Sequence, residues 1–257
     1  MRPLTHAAPI RKLGILKNIT GAFARGAALL IPYECPGCGK LSDRFICPDC
    51  EKRVGQIAEP YCKVCGRQLP TGVRDTSDCR ECRDAKIPFD LCRSFFLYSP
   101  PVNELVKRFK FRRNYTAGRW LVENAIASLA GNPAYLPDYG GADFLAPVPL
   151  HPIRRVSRGF NQSDYIAEGF GRYWDIKVSN CLARRRHTRP QSLLPLKERV
   201  KNVKGAFAVR KNADVKGKKI ILVDDVMTSG ATVRECSRIL KAAGADKVYI
   251  LTIARRS

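Results

Sequence analysis

The 257-residue sequence is short of acids, of histidines and of long apolar runs. Only 23 Asp and Glu stand against 46 Lys and Arg, giving a formal net charge of +23 at pH 7. A field of that sign draws polyanions: nucleic acid, anionic membrane or phosphorylated small molecules. Simple solubility is the plainer reading of the same charge. The three histidines, His6, His151 and His187, are too scattered in sequence to suggest a metal site. The most apolar stretch, 14–32, is interrupted by Lys17 and Arg25, whereas a membrane span needs roughly 20 mostly apolar residues. It also lacks the unbroken apolar centre and the cleavage site of a signal peptide. It reads as an amphipathic, basic leader (1–33), and the chain as cytoplasmic with no integral membrane segment. No GxxxxGK[ST] occurs, which excludes a P-loop.

Cysteine is abundant by contrast. Eight of the eleven form four CxxC pairs: Cys35 and Cys38, Cys47 and Cys50, Cys62 and Cys65, Cys79 and Cys82. A CxxC knuckle turns two sulfurs toward one point, and two knuckles complete a tetrahedral thiolate shell for Zn2+. Gly39 and Gly66 follow the second cysteine of a knuckle, where the backbone must turn tightly. A disulfide framework would require export, and a thioredoxin-type site uses one CxxC rather than four. An iron–sulfur cluster fits the ligands but suits short paired knuckles less well than zinc. Two structural Zn2+ sites are therefore expected over 34–92, with no coordination position open for catalysis. This segment has little apolar content and should depend on its metals to fold. Spacing does not reveal whether each zinc takes adjacent or alternating knuckles. Cys236 lies on an apolar helical stripe with Val233, Leu240 and Ala243, and Cys92 and Cys181 have no partner motif.

Beyond the cysteines the pattern becomes alternating strand and helix. Strands are predicted at 92–99, 143–150, 205–209, 218–226 and 247–253. Helices are predicted at 102–130, broken near Asn114, and at 161–173 and 231–243. Near-continuous apolar strands separated by helices imply an α/β fold with a parallel sheet covered on both faces. Lys107, Arg108, Lys110, Arg112 and Arg113 read as an exposed basic helix face. Phe95, Phe96, Phe109 and Phe111 all read as candidates for the core. The basic segment 184–204 shows no regular patterning.

The most chemical stretch is "IILVDDVMTSGATV" (220–233). Ligands of an open parallel sheet bind at the carboxyl ends of its strands, and Asp224 and Asp225 stand at such an end. The small and hydroxylated residues behind them converge N–H groups and hydroxyls at the start of a helix, which suits a phosphate. Acids beside a phosphate should hold something attached to it, such as ribose hydroxyls or a bridging Mg2+. A receiver domain also opens with paired acids, but its phosphoacceptor lies on a later strand, and the sequence stops at Ser257.

This stretch resembles the PRPP-binding loop of type I phosphoribosyltransferases. From about 34 to 257 the chain resembles the ComF family, which includes the ComFC-like competence proteins. The features in order are the paired cysteine ribbons, "PVPLHP" (147–152), "RGFNQS" (158–163), "HTRPQSLLPLKERVKNVKGAF" (187–207) and "VDDVMTSGAT" (223–232). The resemblance implies a double zinc ribbon (34–92) followed by a type I phosphoribosyltransferase-like domain (93–257). It implies that Asp224 and Asp225 contact the ribose hydroxyls of PRPP, and that Thr228, Ser229, Gly230, Ala231 and Thr232 cradle its 5-phosphate. Arg154, Arg155 and Arg158 become candidates for the pyrophosphate, a pairing guanidinium geometry suits. Arg158, Asn161, Gln162, Thr188, Gln191, Arg199 and Asn202 match the family's polar pattern without each having an assigned role. The segment 184–204 is the candidate mobile loop. The implied activity is phosphoribosyl transfer from Mg2+-bound PRPP to an acceptor the sequence does not identify. The implied setting is DNA uptake or processing, with single-stranded DNA and a helicase or recombination protein as partners. A non-catalytic nucleic-acid-binding protein or adaptor that keeps the fold as a PRPP sensor is the other class.

Overall fold

The computed structural model describes residues 32–256 apart from 74, 78, 132–138 and 140. Most of the expected leader, His6 and most of the Pro/Gly-rich turn at 131–141 lie outside the described residues. The cysteine region holds β1 (Tyr33–Glu34), β2 (Leu41–Ser42), α1 (Pro48–Lys52) and α2 (Arg80–Arg83). Next come β3 (Leu91–Leu97), α3 (Val102–Arg112), α4 (Tyr115–Gly131), β4 (Phe144–Pro147), α5 (Pro152–Arg158) and α6 (Gln162–Trp174). The last part comprises β5 (Leu182–Arg184), α7 (Leu196–Val203), β6 (Phe207–Val209), β7 (Lys219–Met227), α8 (Ala231–Ala242) and β8 (Lys247–Arg255).

Strands β3, β8, β7 and β4 form, in that order, a parallel sheet. Its strands are apolar at nearly every position because both faces are covered. Leu145, Ile221, Val223, Leu251 and Ile253 pack with Leu121 and Ala125 of α4 and with Ile166 and Phe170 of α6. The alternate residues Phe144, Ala146, Ile220, Leu222, Val248 and Ile250 pack with Val233, Cys236 and Leu240 of α8. Each such side chain, fully buried, contributes about 1.5–3 kcal/mol relative to exposure. Helix α3 ends where expected: Arg113 adopts a left-handed conformation, φ 50°, and Asn114 Oδ1 accepts the Ala117 N–H at 2.9 Å.

The cysteine region covers the β3 edge of this sheet. Leu97 N donates to Gly55 O at 2.8 Å and Ile57 N to Phe95 O at 2.9 Å. Cys92 N donates to Val64 O at 2.7 Å. Two edge N–H groups and one edge carbonyl are thereby satisfied. The expected boundary between residues 92 and 93 falls inside β3.

Three expectations need correction. The strand near 205–209 is not part of the parallel sheet: β6 pairs antiparallel with β5 in a separate ribbon. Three-residue strands are too short to display alternation, so β5 leaves no trace in the sequence. The segment 184–204 is not irregular, since it contains α7 and a 3₁₀ turn at Gln191–Leu193. Val203 is buried while Val200 is exposed, too few anchors for a visible helical period. Helix α5 was not anticipated because it buries no residue, although Pro152 at its start and the left-handed Gly159 at its end are ordinary helix signals.

Candidate functional site

Strand β7 delivers the two acids to the carboxyl edge of the sheet, and the chain then turns through Thr228–Gly230 into α8. The turn requires glycine at 230, where φ is 69° and a Cβ would come 2.9 Å from Met227 Cε. Helix α8 therefore begins at Ala231, with the hydroxyl residues Thr228, Ser229 and Thr232 flanking its start in sequence. Ser229 Oγ accepts the Ala231 N–H at 3.4 Å. A helix N-terminus ringed by hydroxyls favours an anion.

Asp225 is buried and its Oδ2 lies 2.6 Å from Lys110 Nζ of α3. Asp224 Oδ1 accepts from Ser163 Oγ at 3.2 Å and from its neighbour's backbone N–H at 2.9 Å. Burial, and then the charge of Asp225, push the Asp224 carboxyl up to about 7; Lys110 and the two hydrogen bonds oppose the rise. Lys110 is thus no part of an exposed basic face. It points inward from the last turn of α3, where an isolated helical pattern could not distinguish the two sides.

Near the acids the chain gathers guanidinium groups. Arg158 Nη1 donates to Gln162 Oε1 at 2.6 Å, and burial holds its pKa below the ordinary value despite the field of Asp225 and Asp224. Arg154 Nη2 donates to Thr188 O at 2.5 Å and is likewise lowered by burial, then by Arg158. Arg184 of β5, 9% exposed, donates from Nη2 to Thr188 Oγ1 at 2.5 Å. Burial, and next the charge of Arg154, bring it down to about 10. Arg184 Nε and Gln162 Nε2 are buried without a hydrogen-bond partner. Arg155 turns away, pairing with Asp164 at 3.2 Å on the exposed side of α5.

The 184–204 segment closes against the loop itself. Gln191 Nε2 donates to Thr232 Oγ1 at 2.9 Å, and the buried Arg199 donates from Nη1 to Thr228 Oγ1 at 3.0 Å. Asn202 instead ties the segment to itself through Arg189 O at 3.0 Å. Sequence reasoning gave no site role to Lys110, Ser163 or Arg184. Ser163 alone carried a signal, inside "RGFNQS". His151 and His187, far apart in sequence, have ring centroids 5.0 Å apart.

The eight cysteines gather as Cys35, Cys38, Cys47, Cys50 and as Cys62, Cys65, Cys79, Cys82, with all sulfurs of a group within 4.8 Å of one another. Adjacent knuckles therefore pair. Sulfur separations are 3.6 Å for Cys38 and Cys47, 3.7 Å for Cys65 and Cys79, and 3.9 Å for Cys62 and Cys82. A tetrahedron with Zn–S of about 2.3 Å has edges of about 3.8 Å. Backbone N–H groups of Cys47 and Cys79 point at Cys35 Sγ and Cys62 Sγ at 3.3 and 3.2 Å, which favours thiolates. Both groups fit structural zinc.

Comparison with known proteins agrees with this division. Residues 27–83 match the model of the double zinc ribbon domain and residues 166–257 that of the phosphoribosyl transferase domain. Competence protein F of Haemophilus influenzae is 30% identical over 229 residues, 86% of this chain and 95% of that protein. DNA utilization protein YhgH of Salmonella typhi is 34% identical over 238 residues, 88% and 99% respectively. Competence protein ComFC of Streptococcus pneumoniae is 29% identical over 216 residues, 83% and 89%. With a phosphoribosyltransferase-type parallel sheet, two four-cysteine ribbons and relatives matched over most of their length, the chain belongs to the ComF family.

Proposed function

We propose that the site binds PRPP with Mg2+ and that the protein serves DNA uptake or processing. The observation that carries this reading is the juxtaposition of charges. A helix-start turn suited to an anion directly follows two carboxylates, and Arg158 and Arg184 lie within the field of those carboxylates, with Arg154 beside them. A ligand with a phosphate at one end, vicinal hydroxyls in the middle and a diphosphate at the other suits that set of groups. In this reading the 228–232 loop holds the 5-phosphate, Asp224 and Asp225 accept from the ribose hydroxyls, and the arginines meet the pyrophosphate. The unpartnered Nε of Arg184 and Nε2 of Gln162 are donors such a group would satisfy. Bound Mg2+ would supply further neutralisation of the diphosphate.

Transfer would follow from positioning and charge rather than from a covalent nucleophile. An acceptor's lone pair forms a bond to the anomeric carbon while the C–O bond to pyrophosphate breaks, its electrons staying on the departing oxygen. The acceptor's proton leaves to water. Guanidiniums, that of Arg184 buried and those of Arg154 and Arg158 half-buried, stabilise the charge developing on the leaving group. Calorimetric titration of the zinc-loaded protein with PRPP and Mg2+ tests the reading, beside the Asp224→Asn, Asp225→Asn double variant. Binding should occur and should vanish in the variant. A folded wild type that does not bind, or a variant that binds unchanged, removes the assignment.

A second, compatible reading concerns single-stranded DNA. Phe111 is 68% and Tyr115 48% exposed, contrary to the expectation that Phe111 joins the core. The Arg158 guanidinium lies 5.3 Å from the Phe111 ring centroid, and Arg113 donates to Arg158 O at 2.8 Å. Exposed rings among cations form a stacking platform for unpaired bases. The names of the relatives, competence protein and DNA utilization protein, support the same setting. Phe111→Ala should weaken binding of a single-stranded oligonucleotide by about 1–3 kcal/mol, and binding should fall with added salt. Unchanged affinity would remove this surface. A helicase or recombination protein as partner belongs to this reading, and co-purification with such a protein tests it.

A further inference from the structure

Arg255, the last residue of β8, is a charged side chain only 3% exposed, and among the described residues no carboxylate pairs with it. Its neighbours are unusual. Nη1 donates to Cys65 O at 2.8 Å and lies 3.0 Å from Met227 Sδ, while Nη2 points at Cys65 Sγ at 3.6 Å. A buried, uncompensated guanidinium is strongly destabilising. Four thiolates around one divalent ion retain two negative charges, so the Cys62–Cys82 group is the counter-anion this arginine needs.

The same arginine touches the anion loop. Met227 is its partner in the β7–β8 register, and Met227 Sδ also accepts the Cys92 thiol at 3.1 Å. Met227 Cε lies beneath Gly230, so close that a Cβ there would meet it at 2.9 Å. A second link runs along the surface, where Glu81 of α2 pairs with Arg67 in the ribbon and approaches Arg234 of α8 at 3.9 Å.

We propose that Arg255 is a positioning residue that couples metal loading of the second ribbon to the shape of the 227–232 loop. Zinc at Cys62, Cys65, Cys79 and Cys82 holds the guanidinium, the guanidinium holds Met227, and Met227 supports the turn at Gly230. Without zinc nothing fixes the Cys65 knuckle, so the Cys65 O and Sγ that seat the guanidinium shift, and Arg255 takes Met227 with it. The coupling is reciprocal, and a ligand ordering the loop slows zinc release.

The inference rests on the sugar-phosphate reading for the identity of the ligand only, so the test has a readout free of that ligand. The full-length zinc-loaded protein is treated with EDTA and a thiol alkylator, and mass spectrometry follows each cysteine group separately. Amide hydrogen exchange of 227–232 is recorded in parallel. In the wild type, exchange at 227–232 should rise as Cys62–Cys82 become alkylated and not as Cys35–Cys50 do. Arg255→Met should speed alkylation of the second group about tenfold and leave the first unchanged, with Arg255→Lys between. PRPP with Mg2+, where it binds, should slow the second group alone. Loop exchange that stays constant after the second group is stripped overturns the coupling, even if Arg255→Met fails to fold. Equal alkylation rates in a folded Arg255→Met overturn the role of the arginine. Absence of PRPP binding with the coupling intact would count against the ligand assignment and not against Arg255.

Discussion

The two zinc ribbons have the same ligands and different neighbours. In the first, Cys38 is exposed, and the knuckle at Gly37 packs against Pro101 at the start of α3. Its sulfur-facing guanidinium, Arg53 at 3.0 Å from Cys50 Sγ, is exposed to solvent. In the second, all four cysteines are buried, and its guanidinium comes from the far end of the chain, through the floor of the anion loop. Water screens Arg53 and makes its sulfur contact dispensable, whereas Arg255 has no water to replace the cluster. The second ribbon borders the β3 edge through Val64 and, in the coupling proposed above, also supports the 227–232 loop.

The largest effect that could break this contrast comes from deleting a ligand in each ribbon. Loss of a structural zinc removes binding free energy on the order of 10 kcal/mol from an isolated zinc peptide, so both Cys38→Ser and Cys65→Ser should lower the unfolding midpoint. Only Cys65→Ser should abolish PRPP binding in calorimetry. Cys38→Ser should leave it within about threefold, a change of under 1 kcal/mol. Equal losses in both would dissolve the distinction.

A smaller effect concerns the acids. A carboxyl raised to about 7 in the folded state, against about 3.9 when unfolded, holds its proton longer in the native protein. The unfolded state binds fewer protons over that interval, so Asp224 lowers stability progressively as pH rises from about 4 to about 7. At pH 8 Asp224→Asn should be more stable than wild type by on the order of 1–3 kcal/mol after screening, while binding ligand less well. Thermal melts at pH 5 and pH 8 check the sign: the advantage should shrink at pH 5. The Cys38→Ser change should not move this profile, and Lys110→Met should shift it upward by removing the cation that favours the charged form.

The smallest effects are at exposed ion pairs on the two ribbons. Glu34→Gln breaks the 3.0 Å pair with Arg108, and Glu81→Gln loosens Arg67 and Arg234. Each should change stability by about 0–1 kcal/mol. A difference sharpening the comparison would be seen in loop exchange at 227–232, raised slightly by Glu81→Gln alone.

Features legible beforehand were those whose chemistry is contiguous. Each CxxC knuckle and the stretch from Asp224 to Thr232 assemble within one turn of chain, so spacing displays the geometry. Residues from different elements left weaker signs. Lys110 read as solvent-facing because its helix face meets Asp225 only after folding. Phe111 read as core because composition records an aromatic ring and not its direction. The segment 184–204 carried site residues Gln191 and Arg199, yet its single buried valine hid the helix that positions them.

By itself the sequence determined the residue types: eight cysteines in knuckles, two carboxylates at a strand end and a hydroxyl-rich turn into a helix, since each needs only local backbone geometry. It also determined the parallel sheet, through strands apolar on both faces. Only the tertiary structure decided which knuckles share a metal, which arginines face the acids, and that Arg255 reaches Cys65 across 190 residues of sequence. Those contacts are set by packing of distant elements around one core, where burial, not sequence proximity, selects the partner each charge must find.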